Sequence, residues 1–305
     1  MNDRQSMILA LIRNHFRFQE LNLIRENPMI ISTEKGLKRI RFWENEGLLK
    51  RHLEWRLKLL TPSFFIDRMY VTVQGFPYIR YDRFRLTCHD APEEEAVMSG
   101  YEALWAEVMH TLLTRSRMPL PVSESSLLGT VQTYYEQAER ADLFSSHAGK
   151  IAQSCYPSVC ERAKIADQLR AKHQGRRRSF VLPDDFSFDQ IKKLFDVLFI
   201  NLGQSGPVQG YDRIAGFMQQ VLNNQGESVM QALLQLMIEK GGMDQETSDL
   251  IKAAWYEPDE WIYLVDLLSG LPPGMELSNQ HVNGFKKIWD SKNRLIALFL
   301  AYFEV

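Results

Sequence analysis

The stretch FVLPDDFSFDQIKKLFDVLFINLG, residues Phe180 to Gly203, brings together residue types that can do chemistry. Asp185 is a carboxylate able to accept a hydroxyl proton. Four residues separate it from Gln190, whose amide offers an oxygen. The apolar run that follows ends in Asn201, a second neutral oxygen donor. One base and two oxygen donors in this order fit a group transfer assisted by a hard cation such as magnesium. Pro183, just before the two aspartates, has neither a polar side chain nor an N–H with which to brace such a loop.

The elements that must position these groups differ along the chain. The first 26 residues read as an amphipathic helix with Leu9, Ile12, Phe16 and Leu23 near one face, stopped at Asn27-Pro28. Met29–Ser32 and Leu37–Phe42 are expected strands around a turn at Glu34-Lys35-Gly36, and Trp43–Leu60 has helical spacing. Strands are expected again at Phe64–Ile66, Met69–Val73 and Tyr78–Tyr81, the last two split by Gln74-Gly75-Phe76-Pro77. Asp90 is placed to cap a helix whose first turn holds Pro92, Glu93, Glu94 and Glu95. From there helices are expected at about 93–116, 124–144, 158–173, 211–224, 227–240, 244–255, 257–269 and 278–304. The reading is an α+β chain with an N-terminal antiparallel sheet lobe and leading helix, 1–90, and a mainly helical lobe, 91–305. The opening stretch itself is ambiguous: Ile191, Leu194, Phe195, Leu198 and Phe199 recur at helical spacing, while Val197, Phe199 and Asn201 alternate as in a strand.

Composition narrows the function classes. At 305 residues the chain can bury a substantial core, and 45% hydrophobic with 24% charged residues is a soluble globular balance. A formal net charge of −2 gives no basis for nucleic-acid binding, and the basic run Gly175–Arg178 is too short to supply one. Three cysteines, Cys88, Cys155 and Cys160, suit a reducing compartment rather than a disulfide framework. Cys155 and Cys160 with His147 or His173 match no standard zinc spacing. The expectation is a cytoplasmic protein: no secretion signal is recognisable, and the apolar run Leu295–Phe303 is less than half a membrane span.

Taken in order, these motifs resemble the aminoglycoside-phosphotransferase-like kinases, and within them the spore-coat branch, the CotS-like family. Pro183-Asp184-Asp185, Gln190-Ile191 and Phe199–Gly203 follow that family's catalytic stretch. Gly210-Tyr211-Asp212-Arg213-Ile214-Ala215 resembles its Tyr-Asp-Leu-Ala helix start, and Tyr256-Glu257-Pro258-Asp259-Glu260-Trp261 its Pro-x-x-Trp element. The resemblance implies a two-lobed protein-kinase-like fold, with ATP and magnesium as the cofactors to be tested. It implies Lys38 as the strand lysine held by Glu54, with Glu46 as second choice, and Tyr78–Asp82 as the hinge facing an adenine. It further implies Asp185 as base, Gln190 and Asn201 as the metal positions and Asp212 as a structural brace. It requires residues 184–201 to form a hairpin turning near Phe195-Asp196, and the well-spaced Tyr211-Asp212 favours that over a helix.

The departures from the family pattern point one way. Gln190 is one methylene longer than the family's Asn, and Asn201 replaces an Asp. At an effective dielectric near 20, a unit charge at about 4 Å is worth roughly 4 kcal/mol, up to about a thousandfold in metal affinity or rate. Only Gly36 precedes Lys38, so there is no glycine-rich phosphate loop. The implied protein is a pseudokinase acting as a structural or interaction component of the spore coat, its partners other coat or cytoplasmic proteins. The alternatives are an active ATP-dependent phosphotransferase with atypical magnesium ligands, and an unrelated helical binding protein.

Overall fold

The computed structural model describes residues 3–115, 118–119, 126–173, 178–179, 191–206, 210–272 and 275–303. Helix α1 spans Asp3–Phe16 and buries Ile8, Leu9, Ile12 and Phe16. It stops ten residues short of the expected end, because Arg17 takes a left-handed φ of 54° and the chain turns into strand β1, Leu21–Arg25. Strands β2, Met29–Thr33, and β3, Gly36–Trp43, follow around the anticipated turn. There Gly36 adopts φ 83°, a conformation a side chain would strain. Helix α2, Glu46–Lys58, is capped by Asn45, whose Oδ1 accepts from the Leu48 N–H at 2.9 Å. Short strands β4, Phe64–Ile66, β5, Met69–Tyr70, and β6, Ile79–Tyr81, lead to β7, Phe84–Asp90.

Strand β7 corrects the sequence reading. The antiparallel sheet runs β1-β2-β3-β7-β5, with β6 also paired to β7, so β7 is the hub of the sheet. It escaped notice because its last two residues, His89 and Asp90, are polar yet buried, and Asp90 looked like a helix cap. The next helix, α3, begins at Glu102, not near 93, and runs to Arg115. Ala91 instead extends the sheet, its N–H bonded to Leu37 O at 3.0 Å, and Glu94 and Glu95 run beside Lys192 and Lys193.

Beyond α3 come a two-residue strand β8, Met118–Pro119, helix α4, Leu127–Arg140, a 3₁₀ turn at Leu143–Ser145, helix α5, His147–Ala171, and β9, Arg178–Ser179, paired with β8. Helix α5 starts a full eleven residues before the expected position; Gly149 and Pro157 mask its periodicity. Gly149 is required there, since a Cβ would lie 2.0 Å from Leu143 O. Strands β10, Ile191–Leu194, and β11, Val197–Ile200, form a hairpin with Phe195 and Asp196 at its turn. The helical reading of this stretch is therefore excluded for residues 191–200. Strand β11 also pairs in parallel with β4, Ile200 opposite Ile66. Helices α6, Gly210–Gln225, α7, Glu227–Glu239, α8, Gln245–Tyr256, α9, Asp259–Ser269, and α10, Asn279–Phe303, complete the chain.

The chain forms two compact units: Met1–Val97 with Val181–Val208, and Met98–Phe180 with Gln209–Val305. The linear division at 90/91 cannot express this, because β10 and β11 return to join β4. In the first unit α1 lies on Ile31, Ile40, Leu86 and Cys88 of the sheet. The second unit packs α4, α5 and α9 through Val131, Ala152, Val159, Ala163, Trp261 and Leu264. No described helix is long and apolar enough to cross a membrane.

Candidate functional site

Successive residues of a strand face opposite ways, so β3 shows Lys38, Ile40 and Phe42 on the α1 side and Arg39, Arg41 and Trp43 on the other. Arg41 is 4% exposed and lies at the centre of a buried polar network. Its Nη1 donates to Asp67 Oδ2 at 2.8 Å and to the carbonyl oxygens of Leu202, 3.0 Å, and Gly203, 3.1 Å. Its Nη2 donates to Asn201 Oδ1. Burial lowers the Arg41 pKa to about 10, with Asp67 acting the other way, so the guanidinium stays charged at neutral pH.

Asp67 is the hub of that network. It follows β4 and takes a left-handed φ of 46°. Arg56 of α2 donates to Asp67 Oδ2 and, through Nε, to Asp67 O at 3.1 Å. His89 Nδ1 lies 3.0 Å from Asp67 Oδ1. Burial alone would raise the Asp67 pKa, but Arg41, Arg56 and His89 together hold the carboxyl well below its usual range. Burial pushes His89 down to about 4, so it is neutral here, with Nε2 2.6 Å from Thr87 Oγ1. That hydroxyl accepts from Trp43 Nε1 at 2.8 Å. His52 of α2, 4.8 Å from the Trp43 ring, is also lowered by burial to about 4 and sits 2.8 Å from Ser205 O. A cavity of about 390 Å³ opens beside Arg41 and Asn201, with Asn27, Arg39 and Gln204 in its lining.

The expected strand lysine lies on the other face. Lys38 Nζ is 2.9 Å from Asp90 Oδ1, with both side chains buried, and also donates to Lys35 O. The expected Lys38–Glu54 pair is not formed: Glu54 is exposed on α2, which packs on the Arg41 face. Glu46, the second choice, pairs with Arg85 at 3.0 Å. Tyr78 is half-buried just before β6, and Ile79–Tyr81 form a hairpin strand rather than a hinge. Asp212 is exposed in the first turn of α6, where the helix dipole favours a carboxylate. Asp184, Asp185 and Gln190 lie outside the described residues. Arg41, Asp67 and His89 were missed by the sequence reading. The signal available was an Arg three residues after Lys38 on a strand, hence on its opposite face.

The Pro-x-x-Trp element is structural in this chain. Pro258 precedes α9 and Trp261 is fully buried, its Nε1 donating to Ala152 O at 2.8 Å. Glu260 is gripped by Arg162 at 2.7 Å and Lys292 at 2.7 Å, and Arg162 Nη2 donates to Trp255 O at 3.0 Å. One acidic turn thus ties together α5, α8, α9 and α10.

No protein-family model and no curated protein matches the chain. Solved structures do. An aminoglycoside phosphotransferase from Alicyclobacillus acidocaldarius subsp. acidocaldarius DSM 446 is similar with a TM-score of 0.65 at 10% identity, over 96% of this chain and 95% of that one. A spectinomycin phosphotransferase in complex with ADP and spectinomycin gives a TM-score of 0.56 at 12% identity, over 96% and 98%. An amicoumacin kinase in complex with AMP-PNP, Ca2+ and Ami gives a TM-score of 0.50 at 12% identity, over 96% and 94%. The fold is therefore protein-kinase-like, with an antiparallel sheet N-terminal lobe and a mainly helical C-terminal part.

Proposed function

We propose that this chain is a pseudokinase: a kinase-fold protein that does not transfer phosphate and serves as an interaction or structural component. The observation that carries this is the contact of the Arg41 guanidinium with Asn201 Oδ1. In the kinase scheme an Asp near this point holds magnesium. In this chain the residue is a neutral amide whose oxygen is already taken by a fixed, buried cation. A divalent ion brought there would meet repulsion where it needs attraction, and at an effective dielectric near 20 each unit-charge pair at about 4 Å counts roughly 4 kcal/mol. The residues present do not fit a magnesium ion at Asn201.

The setting rests on resemblance. The Tyr211-Asp212 and Pro258–Trp261 motifs, similar to the spore-coat branch, support a role in the bacterial spore coat after synthesis in the cytoplasm. Other coat proteins would be the partners. Nucleotide binding without metal is compatible with this reading, since Arg39 and Arg41 border the cavity beside Asn201.

Calorimetric titration of the purified chain with ATP, once with magnesium and once with EDTA, tests the proposal. The same heat in both conditions, or none in either, is the expected result. Binding that requires magnesium, together with turnover abolished by Asp185→Asn, would establish the active phosphotransferase instead.

A further inference from the structure

A cavity of about 770 Å³ lies away from Arg41 and Asn201, at the end of β3 and β7 that carries Lys38 and Asp90. Arg68 borders it. Its guanidinium is 38% exposed and touches Asp90 Oδ2 only as an ion contact of 3.5 Å. Among the described residues it makes no hydrogen bond, so its N–H donors remain available. Three rings hold it in place: Phe65 at 5.3 Å, Tyr70 at 5.6 Å and Phe195 at 5.7 Å from ring centroid to guanidinium carbon.

Phe195 is unusual on two counts. It is 70% exposed, and it sits in the β10–β11 turn with φ 52°, where a bulky side chain is strained and Asn or Gly is the ordinary choice. An exposed aromatic ring kept in a strained backbone at the lip of a cavity is a feature that folding alone does not call for.

The cavity lining holds three cations, Lys35, Lys38 and Arg68, and three carboxylates, Glu34, Asp90 and Glu93, but they are not equivalent. Glu34 is turned toward the backbone N–H groups of Gln19 and Glu20 at 3.1 and 3.2 Å. Asp90 is shared by two cations, Lys38 at 2.9 Å and Arg68 at 3.5 Å, and its Oδ1 also accepts from the Tyr70 hydroxyl at 3.2 Å. Asp90 thus faces two cations, and the Arg68 guanidinium, held among three rings, keeps open donors toward the cavity. Lys35 is exposed at the rim, where its charge helps to hold the Glu34 carboxyl below its usual range, and Glu93 is exposed there too.

We propose that this cavity binds an anionic group, a phosphate monoester or a carboxylate, carried on a flat apolar body. Arg68 engages the anion through its free donors, and Phe195, with Leu37, Pro92 and Leu194, covers the body. The site is independent of Asn201 and of any nucleotide chemistry there.

The test is an NMR titration of the full chain with phenyl phosphate, phenylacetate and benzyl alcohol, following the amides of Tyr70, Asp90 and Phe195. Saturable shifts with at least one anion and none with the alcohol are expected, and the preferred anion names the group recognised. Arg68→Gln should weaken binding by about tenfold, the loss of a charge-assisted pair. Phe195→Asn should weaken it severalfold while keeping the fold, because Asn is at ease in the left-handed region. The proposal is overturned if neither anion shifts these amides at about 20 mM. It also fails if the alcohol binds equally well, or if Arg68→Gln binds the anions as tightly as the parent chain.

Discussion

Strand β3 carries a buried cation on each face, and the two faces are finished differently. On one, Arg41 spends its guanidinium on Asp67, Asn201 and two backbone carbonyls. On the other, Lys38 is equally buried and paired with Asp90, yet the adjacent Arg68 is left with unmade bonds beside a cavity. The same ingredients, a cation and a carboxylate on neighbouring elements, give a tightly bonded guanidinium on one face and one with open donors beside a cavity on the other.

The sharpest way to break this comparison is to remove the hub of the sealed face. Asp67→Ala leaves Arg41 and Arg56 buried with no carboxylate between them, and should cost about 3–5 kcal/mol in urea unfolding. A cost under about 1 kcal/mol would show that the network does not hold α2 to the sheet.

Acid should act on the same face. His89 is neutral when folded, with a pKa of about 4 against 6.5 when unfolded, so the unfolded chain binds the extra proton. The stability is fully present above about pH 6.5 and is lost as pH falls toward 4, by about 3 kcal/mol for this fully buried ring. Replacing it, as His89→Gln, should flatten the pH dependence of the unfolding midpoint across that window. An unchanged slope would mean that His89 titrates normally.

The receptive face should be the more forgiving. Lys38→Met leaves Asp90 with Arg68 and the Tyr70 hydroxyl, and is expected to cost about 2 kcal/mol, less than Asp67→Ala. An equal or larger cost would erase the asymmetry. Smallest of all, Glu54→Gln should change the unfolding free energy by less than about 0.5 kcal/mol, as for an exposed residue. A loss above 1 kcal/mol would revive its pairing role.

The helical half was largely legible because its punctuation is local. Asp244 caps α8 by accepting from Thr247 N–H at 2.8 Å, Pro258 opens α9 and Gly270 ends it. The β10–β11 hairpin was not legible from periodicity, since Leu194, Phe195 and Leu198 fit a helix equally well; the downstream Tyr211-Asp212 spacing supplied the choice. Strand β7 and the Arg41 site were missed for one physical reason. Buried charges look like surface charges in a sequence unless their partners are known, and Arg41 finds Asp67 26 residues away and Asn201 160 residues away. Lys38 was correctly read as a lysine on a strand, but strand alternation turns it away from the face that Asn201 and α2 share with Arg41.

The most direct measurement is paramagnetic. With ADP in excess, manganese added to the isotope-labelled chain would broaden the side-chain amide of Asn201 if a divalent ion sits against it. The predicted result is an amide that keeps its linewidth while Arg41 remains in place. Selective broadening of that amide at substoichiometric manganese would show a metal bound at Asn201 and contradict the reading of this chain as a pseudokinase.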